Sequence, residues 1–402
     1  MQYDLIVIGG GAAGFFTALN VAERDATLKI AILERGKEVL SKVRISGGGR
    51  CNVTHAEFIP LELSKQYPRG EKELLGPFHT FMTGDTMDWF QSRGVELKIE
   101  DDGRVFPVSN SSQTIIDCFL KEAKRLKIDV LTNHVVKNFN DHHGAWQVTT
   151  NQGEFETAKL MIATGSNPKV WTKLQEMEHQ IVNAVPSLFT FNIKDNRIKK
   201  LPGIAKDVVV KVKQSKLLSE GPLLITHWGM SGPAILKLSA WGAIELNARN
   251  YNFEISVNWL QYDTKEKAIH KLKVVRDAYP KQYITKYAQL GLPKRLWQSL
   301  VSAAEIKDET RWANMNKVQL GSLAEQLTES VFKVDGKSTF KEEFVTAGGI
   351  DLKEVSFKTF ESKKHKHLYF AGEVLNIDAI TGGFNFQNAW TSAFIAAQAI
   401  TA

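Results

Sequence analysis

Residues Asp4 to Gly36 read DLIVIGGGAAGFFTALNVAERDATLKIAILERG, and this stretch decides the fold. The apolar run Leu5 to Ile8 reads as a buried parallel strand. Gly9, Gly11 and Gly14 follow in the spacing G-x-G-x-x-G, with Ala12 and Ala13 opening a helical pattern. A second apolar run, Ile30 to Leu33, closes on Glu34 and Arg35. Each part has a physical task. Gly9 allows the tight turn, Gly11 lets the backbone approach a pyrophosphate, and Gly14 lets the helix pack closely on the strand. The free N–H groups at the helix start face the phosphates, while Glu34 is placed to accept from the adenosine ribose hydroxyls. A dinucleotide-binding α/β unit is therefore expected at the N-terminus.

Which dinucleotide is decided at the other end. There the chain reads LYFAGEVLNIDAITGGFNFQNAWTSAFIAAQAI, from Leu368 to Ile400. A short strand leads into Gly372-Glu373, and Gly382-Gly383 open a helical pattern at Phe384 and Asn385. A strand ending in Gly-acid, followed by a glycine-rich helix start, suits a flavin better than a nicotinamide. The carboxylate is suited to the ribityl hydroxyls, and the helix N-terminus sets positive potential near the flavin N1 and C2=O. FAD is the expected cofactor. No second G-x-G-x-x-G follows a strand, so NAD(P)H is expected only as a transient electron donor.

Size, charge and cysteines set the outer bounds. A chain of 402 residues exceeds one usual domain. No run approaches the roughly 18 apolar residues of a membrane span. The first strand begins almost at once, leaving no room for a secretory signal. Cys51 and Cys118 stand in unrelated contexts, which argues against a disulfide framework and for a reducing, cytoplasmic location. No Cys/His cluster has metal spacing, and no metal site is expected. The net charge of +7 is uneven: Phe189 to Glu343 holds 25 Lys+Arg against 16 Asp+Glu, a net of +9, which leaves −2 elsewhere. The middle of the chain thus suits an anionic partner, or it presents a solvated lysine-rich surface.

The pattern changes several times between the two ends. Residues 72–93 and 112–127 read as helices; residues 128–162 read as the strands DVLTNHVV, WQVTT and KLMIAT. The last of these runs into Ala163-Thr164-Gly165, a turn able to pass near the cofactor, and Val135 is a further candidate contact. The first domain is expected to be split, as 1–187 and 344–402. The insertion, 188–343, divides into a β-barrel (188–263 and about 333–343) and a helical bundle (264–332) broken at Pro280 and Gly291-Leu292-Pro293.

With these pieces placed, the chain resembles the BaiN/RdsA-like family of FAD-dependent oxidoreductases. The matching blocks are VIGGGAAG at the N-terminus, Ile45 to Asn52 (ISGGGRCN), Gly103 to Ser109 (GRVFPVS) and Thr226 to Ala234 (THWGMSGPA). Thr346 to Gly349 (TAGG) and Gly372 to Trp390 complete the set. The resemblance implies a doubly wound flavin domain of the succinate dehydrogenase and fumarate reductase type, with an inserted barrel and helical domain. It implies reduction of carbon–carbon double bonds, in steroid-like small molecules or in a ribosomal RNA uridine; other members are described as amine oxidases. A non-catalytic RNA-binding flavoprotein is a further reading. Members often carry Leu-Asp-Val-Asp-Gly where this chain has Leu375-Asn376-Ile377-Asp378-Ala379, so Asn376 replaces a carboxylate while Asp378 remains.

Individual residues then take candidate roles. Ser46, Gly47, Gly48 and Gly49 let the backbone lie flat against a ligand, with Arg50 offering charge-assisted bonds and Asn52 close by. Cys51 is either a small buried filler or a proton donor near the flavin, its thiol activated by the neighbouring charge. Arg104 either anchors a substrate group or holds a loop by an ion pair. His227 either acts as an acid or is structural, and Trp228 stacks or packs. For an RNA substrate, the phosphates would meet Lys194/Arg197/Lys199/Lys200, Lys265 to Lys281 and Lys294/Arg295. The stacking aromatics would be Trp228, Trp241, Trp259 and Tyr262.

Overall fold

The structure, a computed structural model, describes residues 1–338 and 345–402. The chain divides into two compact units, Met1–Val185 with Lys341–Ala402, and Pro186–Phe340. The first unit is built on a nine-stranded sheet. Leu368–Phe370, Glu154–Ile162, Gln2–Ile8, Ile30–Leu33 and Asp129–Leu131 lie side by side and parallel in that order. From Gln2–Ile8 the chain crosses through the helix Ala12–Arg24 to Ile30–Leu33 on one side, while Glu154–Ile162 pairs on the other. The carboxyl end of Gln2–Ile8 is thus the point where strand order reverses, the place at which doubly wound sheets hold their ligands.

Why these strands sit centrally follows from composition. Leu5, Ile6, Val7, Ile30, Ala31 and Ile32 are all buried, as both faces of a parallel sheet require. The helix Ala12–Arg24 packs against Phe384–Ile400, the helix that closes the chain, and both are buried over most of their length. Phe16 lies 4.5 Å from Trp89 and 5.1 Å from Trp390 between ring centres, so one aromatic cluster joins the two chain ends. Truncating the fully buried Trp390 to Ala would cost about 3–5 kcal/mol.

Two differences from the sequence expectation have local causes. The helix expected over 72–93 is two, Glu71–Phe78 and Thr83–Gln91: Pro77 ends the first, and the Met82 N–H donating to Asp85 at 2.8 Å starts the second. The run 129–136 is not one strand. It stops at Leu131, turns through Asn133 (φ 57°), and resumes as Val136–His142.

In the second unit a seven-stranded antiparallel sheet has Ser330–Asp335 at one edge and Lys337–Ser338 at the other. Only Gly336 separates these two strands, so a single bend with φ 89° brings the sheet round on itself as a barrel. Residues 339–343 of the expected barrel lie outside the described residues. Helices Lys265–Ala278, Lys294–Ala303 and Lys317–Thr328 form the expected bundle. Two further helices, Pro233–Trp241 and Ala243–Ala248, stand where only strands were expected. Pro233 at the first helical position, after Gly232, is the start signal for the first of these.

At the far edge of the first sheet, buried His179 links Glu354 (Nδ1 to Oε2, 2.8 Å) to Ser362 (Nε2 to Oγ, 3.1 Å). The Ser362 oxygen also accepts from the N–H groups of Lys364 and His365, so the hydroxyl is a structural clamp and not a nucleophile. Burial pulls the His179 pKa below its ordinary 6.5, against the pull of Glu354. The neutral imidazole therefore stabilises the fold fully above about pH 6.5, and that stability is lost as pH falls through the lowered value. Burial works against Glu354, but bonds from Lys364, His179 and Gln180 hold it below 4.5, a lower window. Between pH 7 and 5 the urea midpoint of the wild type should fall more than that of His179→Gln; parallel profiles would contradict this.

Candidate flavin site

At the carboxyl end of Gln2–Ile8 the glycines separate into two kinds. A Cβ on Gly14 would lie 2.0 Å from the Gly9 carbonyl oxygen, and one on Gly9 would lie 2.4 Å from that of Ala163. These two positions are close approaches of backbone to backbone. A Cβ on Gly11 would meet nothing within 4 Å, nor would one on Gly48 or Gly49, whose φ values are 68° and 83°. Gly11 caps Ala12–Arg24, whose first turn carries no acidic side chain. Bare backbone, open space and the positive end of a helix dipole thus coincide, which fits a pyrophosphate. Glu34 stands beside it. Its Oε2 accepts from Gly10 N–H at 2.9 Å and its Oε1 from Gly36 N–H at 2.7 Å. Each oxygen keeps a lone pair for a ribose hydroxyl. The next segment is tied to the same acid, since His134 N–H donates to the Glu34 carbonyl at 2.9 Å. Val135 follows it, exposed, with its N–H on Asn151 Oδ1 at 2.6 Å. Arg35 is exposed.

The C-terminal motif meets this end of the sheet. A Cβ on Gly372 would lie 3.2 Å from the Cβ of Ala13, so Gly372-Glu373 rests on the fingerprint helix. Glu373 Oε2 pairs with Lys42 Nζ at 2.6 Å, and its Oε1 accepts from Thr346 N–H at 3.1 Å. A Cβ on Gly165 would lie 3.5 Å from the same carboxylate. Thr164-Gly165, Lys42, Thr346 and Glu373 therefore converge. Lys42 is an addition to the expected set; its signal is its place on the short helix that runs into Ser46-Gly47-Gly48-Gly49. That helix kinks at Ser46, where ψ is 147°, and Ser46 Oγ donates to Val43 O at 2.9 Å.

Several expected roles are corrected by the geometry. Arg50 does not offer its charge to phosphate: it pairs with Glu100 at 2.6 Å and stacks on Phe106 at 3.9 Å. Arg104 takes its ion-pair alternative, with Asp102 at 2.7 Å and Glu100 at 3.3 Å. Cys51 is fully buried, and burial pushes its thiol up to about 12, so the activation expected from Arg50 is absent. Asp378 is fully buried against Arg69. Asn385 spends its amide on Ala379 N–H and C=O, at 3.0 and 3.2 Å, and so holds the loop before Gly382-Gly383. Asn52 is buried, accepting from Val105 N–H at 3.3 Å and packing against Gly383. Phe384 is buried with its ring stacked on His55, 4.5 Å between centres.

His55 itself was not anticipated. It sits on the strand Thr54–His55, half-buried, with Nδ1 3.1 Å from the carbonyl oxygen of Gly382. Its Nε2 edge packs on Gly103, where a Cβ would lie 2.6 Å from that nitrogen, so the ring is held between Gly103 and the Gly382-Gly383 turn. His227 lies in the second unit, exposed, just before the strand Gly229–Ser231.

The family described as the HI0933-like protein Rossmann domain matches residues 3–399. The chain belongs to this family. It is 28% identical to the ribosomal RNA dihydrouridine synthase of Haemophilus influenzae, across 100% of this chain and 99% of that protein. It is 24% identical to the 3-dehydro-bile acid delta(4,6)-reductase of Clostridium scindens, across 98% of each. Among solved structures, the open conformation of a flavocytochrome c3 fumarate reductase is similar with a TM-score of 0.51 at 17% identity. That match covers 100% of this chain and 78% of the other, and it shows a shared fold. The HI0933-like chain is an FAD-dependent oxidoreductase.

For this family member the two kinds of glycine separate packing from binding. Gly14→Ala should lower the melting temperature, with a loss of at least about 1–3 kcal/mol from overpacking. Gly11→Ala, at an extended φ of −95°, should leave the melting temperature alone and lower the flavin content. Equal melting temperatures for both variants, with equal flavin content, would contradict the assignment.

Proposed function

We propose that this protein reduces the C5=C6 bond of a uridine in ribosomal RNA to give dihydrouridine, with NAD(P)H as the source of electrons. The observation that favours RNA over a small molecule is the charge division. The segment inserted between the two flavin-binding stretches carries +9, and the rest of the chain −2. Relatives matched over their full length include one named for this reaction on ribosomal RNA. A ribosomal substrate would place the protein in the cytoplasm, and no helix among the described residues is long and apolar enough to cross a membrane.

Bound FAD would supply the hydride, and the chain must supply the rest. In balance, uridine, NAD(P)H and one proton give dihydrouridine and NAD(P)⁺, with hydride added at C6 and the proton at C5. Gly11, Gly48 and Gly49 would hold the dinucleotide, Glu34 its ribose, and Lys42 with Glu373 its other end. His55 is the residue we assign to the proton, since the thiol of Cys51 is enclosed and too weakly acidic. The bile acid reductase relative favours a second reading, in which an enone-like small molecule takes the place of uridine.

Deleting the gene and mapping ribosomal RNA by mass spectrometry tests the choice. Loss of a dihydrouridine is expected, and an unchanged profile would leave the enone reading. In complementation, His55→Asn should restore the base at least about a hundredfold more slowly with flavin content intact. Cys51→Ala should restore it normally; an inactive Cys51→Ala that still holds flavin would return the proton to the thiol.

A further inference from the structure

The inserted unit contains a groove that the flavin chemistry does not use. The helix Lys294–Ala303 lies across two segments and ties down their carbonyls. Ser299 Oγ donates to Arg197 O at 2.6 Å, Trp297 Nε1 to Ile284 O at 2.8 Å, and Gln298 Nε2 to Thr285 O at 3.2 Å. Arg295 donates to the carbonyl of Lys200. On the opposite side Ile284 N–H donates to Thr310 O, and Trp312 N–H to Gln282 O, both at 3.1 Å. Between these ties lies an open groove of about 830 Å³. Its walls are tied together by these bonds, so the backbone that carries the rim side chains is set before any ligand arrives.

The rim has three chemistries. Lys200, Lys286 and Arg295 line it with no ion pair among the described residues, whereas the charge of Arg197 is spent on Asp195 at 2.8 Å. Lys286 Nζ and the Arg311 guanidinium lie over the Tyr283 ring, 4.9 and 5.3 Å from its centre. In the same segment Tyr287 is 55% exposed and Tyr279 47%. Asp308 and Glu309 stand on the rim as well, and they would repel a ligand that was anionic throughout. Free phosphate or a lipid headgroup therefore fits poorly. A nucleotide chain fits: phosphates for the lysines, bases for the exposed rings of Tyr279 and Tyr287 beside the groove, and base amino groups or 2′-hydroxyls for the carboxylates. An apolar small molecule would want a greasier, more enclosed cavity.

We infer that this groove is the RNA-docking site of the inserted unit, holding a single-stranded stretch of the substrate by its backbone and bases. The inference rests on the reading of RNA as substrate and adds to it a surface, set by Lys200, Lys286, Arg295 and Tyr283 on the groove, with the exposed ring of Tyr287 next in the chain after Lys286. Two of the basic clusters seen in the sequence, Lys199/Lys200 and Lys294/Arg295, are brought together here. Trp259, expected as a stacking residue, is fully buried and takes no part.

Fluorescence anisotropy of a labelled single-stranded oligoribonucleotide against the flavin-loaded full chain, titrated with salt, tests it. Lys200→Glu with Lys286→Glu should weaken binding at least about tenfold and make the logarithmic salt slope shallower by about 1.4, as two lost phosphate contacts require. Tyr287→Ala should weaken binding about tenfold with the slope unchanged. Lys211→Glu with Lys216→Glu, an equal change of charge on the exposed strand and hairpin turn around Lys211–Leu218, should do neither. Bleaching of the flavin by NADPH should be the same in all of them. If the groove variants bind like the wild type, or the control pair weakens binding equally, or the wild type binds no RNA, the groove assignment falls. If the groove variants behave as expected but gene deletion leaves ribosomal dihydrouridine unchanged, the groove stands and the uridine reading alone falls.

Discussion

The contact on which the flavin end depends is the one between Gly14 and the carbonyl of Gly9. At this point a helix lies so close to its strand that a single methyl group would overlap an oxygen atom. That closeness aims the first turn of Ala12–Arg24 along the sheet's carboxyl edge and leaves the backbone at Gly11 uncovered. Gly9 in turn abuts Ala163, which brings Thr164-Gly165 to the same edge. The open backbone at Gly48 and Gly49 adds a second uncovered stretch. The uncovered backbone suited to a phosphate is thus a consequence of packing, and no basic side chain is needed to make it.

The second constraint is the meeting of the chain's two ends. Gly372 rests on Ala13, Lys42 pairs with Glu373, and the rings of Phe16 and Trp390 share one cluster. The two stretches of the first unit are thus joined to each other directly, across the long insertion that separates them in sequence. The arginines near the turn serve that closure: Arg50 and Arg104 share Glu100, and Arg69 meets Asp378. Partly buried arginines with carboxylates in reach are spent on structure, so the ligand contacts proposed above fall to backbone, Lys42 and His55.

Much of this was legible in the sequence, for reasons that can be stated. The fingerprint could be read because its glycines answer to local backbone demands, which spacing along the chain reports directly. The barrel strands Ala205–Val212 and Asn252–Asn258 alternate in the way that one buried face requires. The fates of Arg50, Cys51 and Asp378 could not be read, because their surroundings come from residues about fifty to three hundred positions away, Glu100 and Arg69 among them. His55 gave no signal alone; its meaning comes from Gly382 and Phe384 at the other end of the chain. Tyr283 and Lys286 were passed over for tryptophans, one of which, Trp259, is core. Charge drew attention to the inserted unit, but only the fold showed which of its aromatic rings stand at the surface: Trp228, Trp241 and Tyr262 do, and Trp259 does not.

The central claim is that uncovered backbone at Gly11, Gly48 and Gly49, with Glu34 beside it, grips the ADP half of the cofactor through its pyrophosphate, so the most direct measurement compares flavins with and without that half. Isothermal titration of the flavin-stripped chain with FAD and with riboflavin measures it. The account predicts that FAD binds at least about a hundredfold more tightly, a difference of about 2.7 kcal/mol. Equal affinity for the two, or a folded chain that takes up neither, would contradict it.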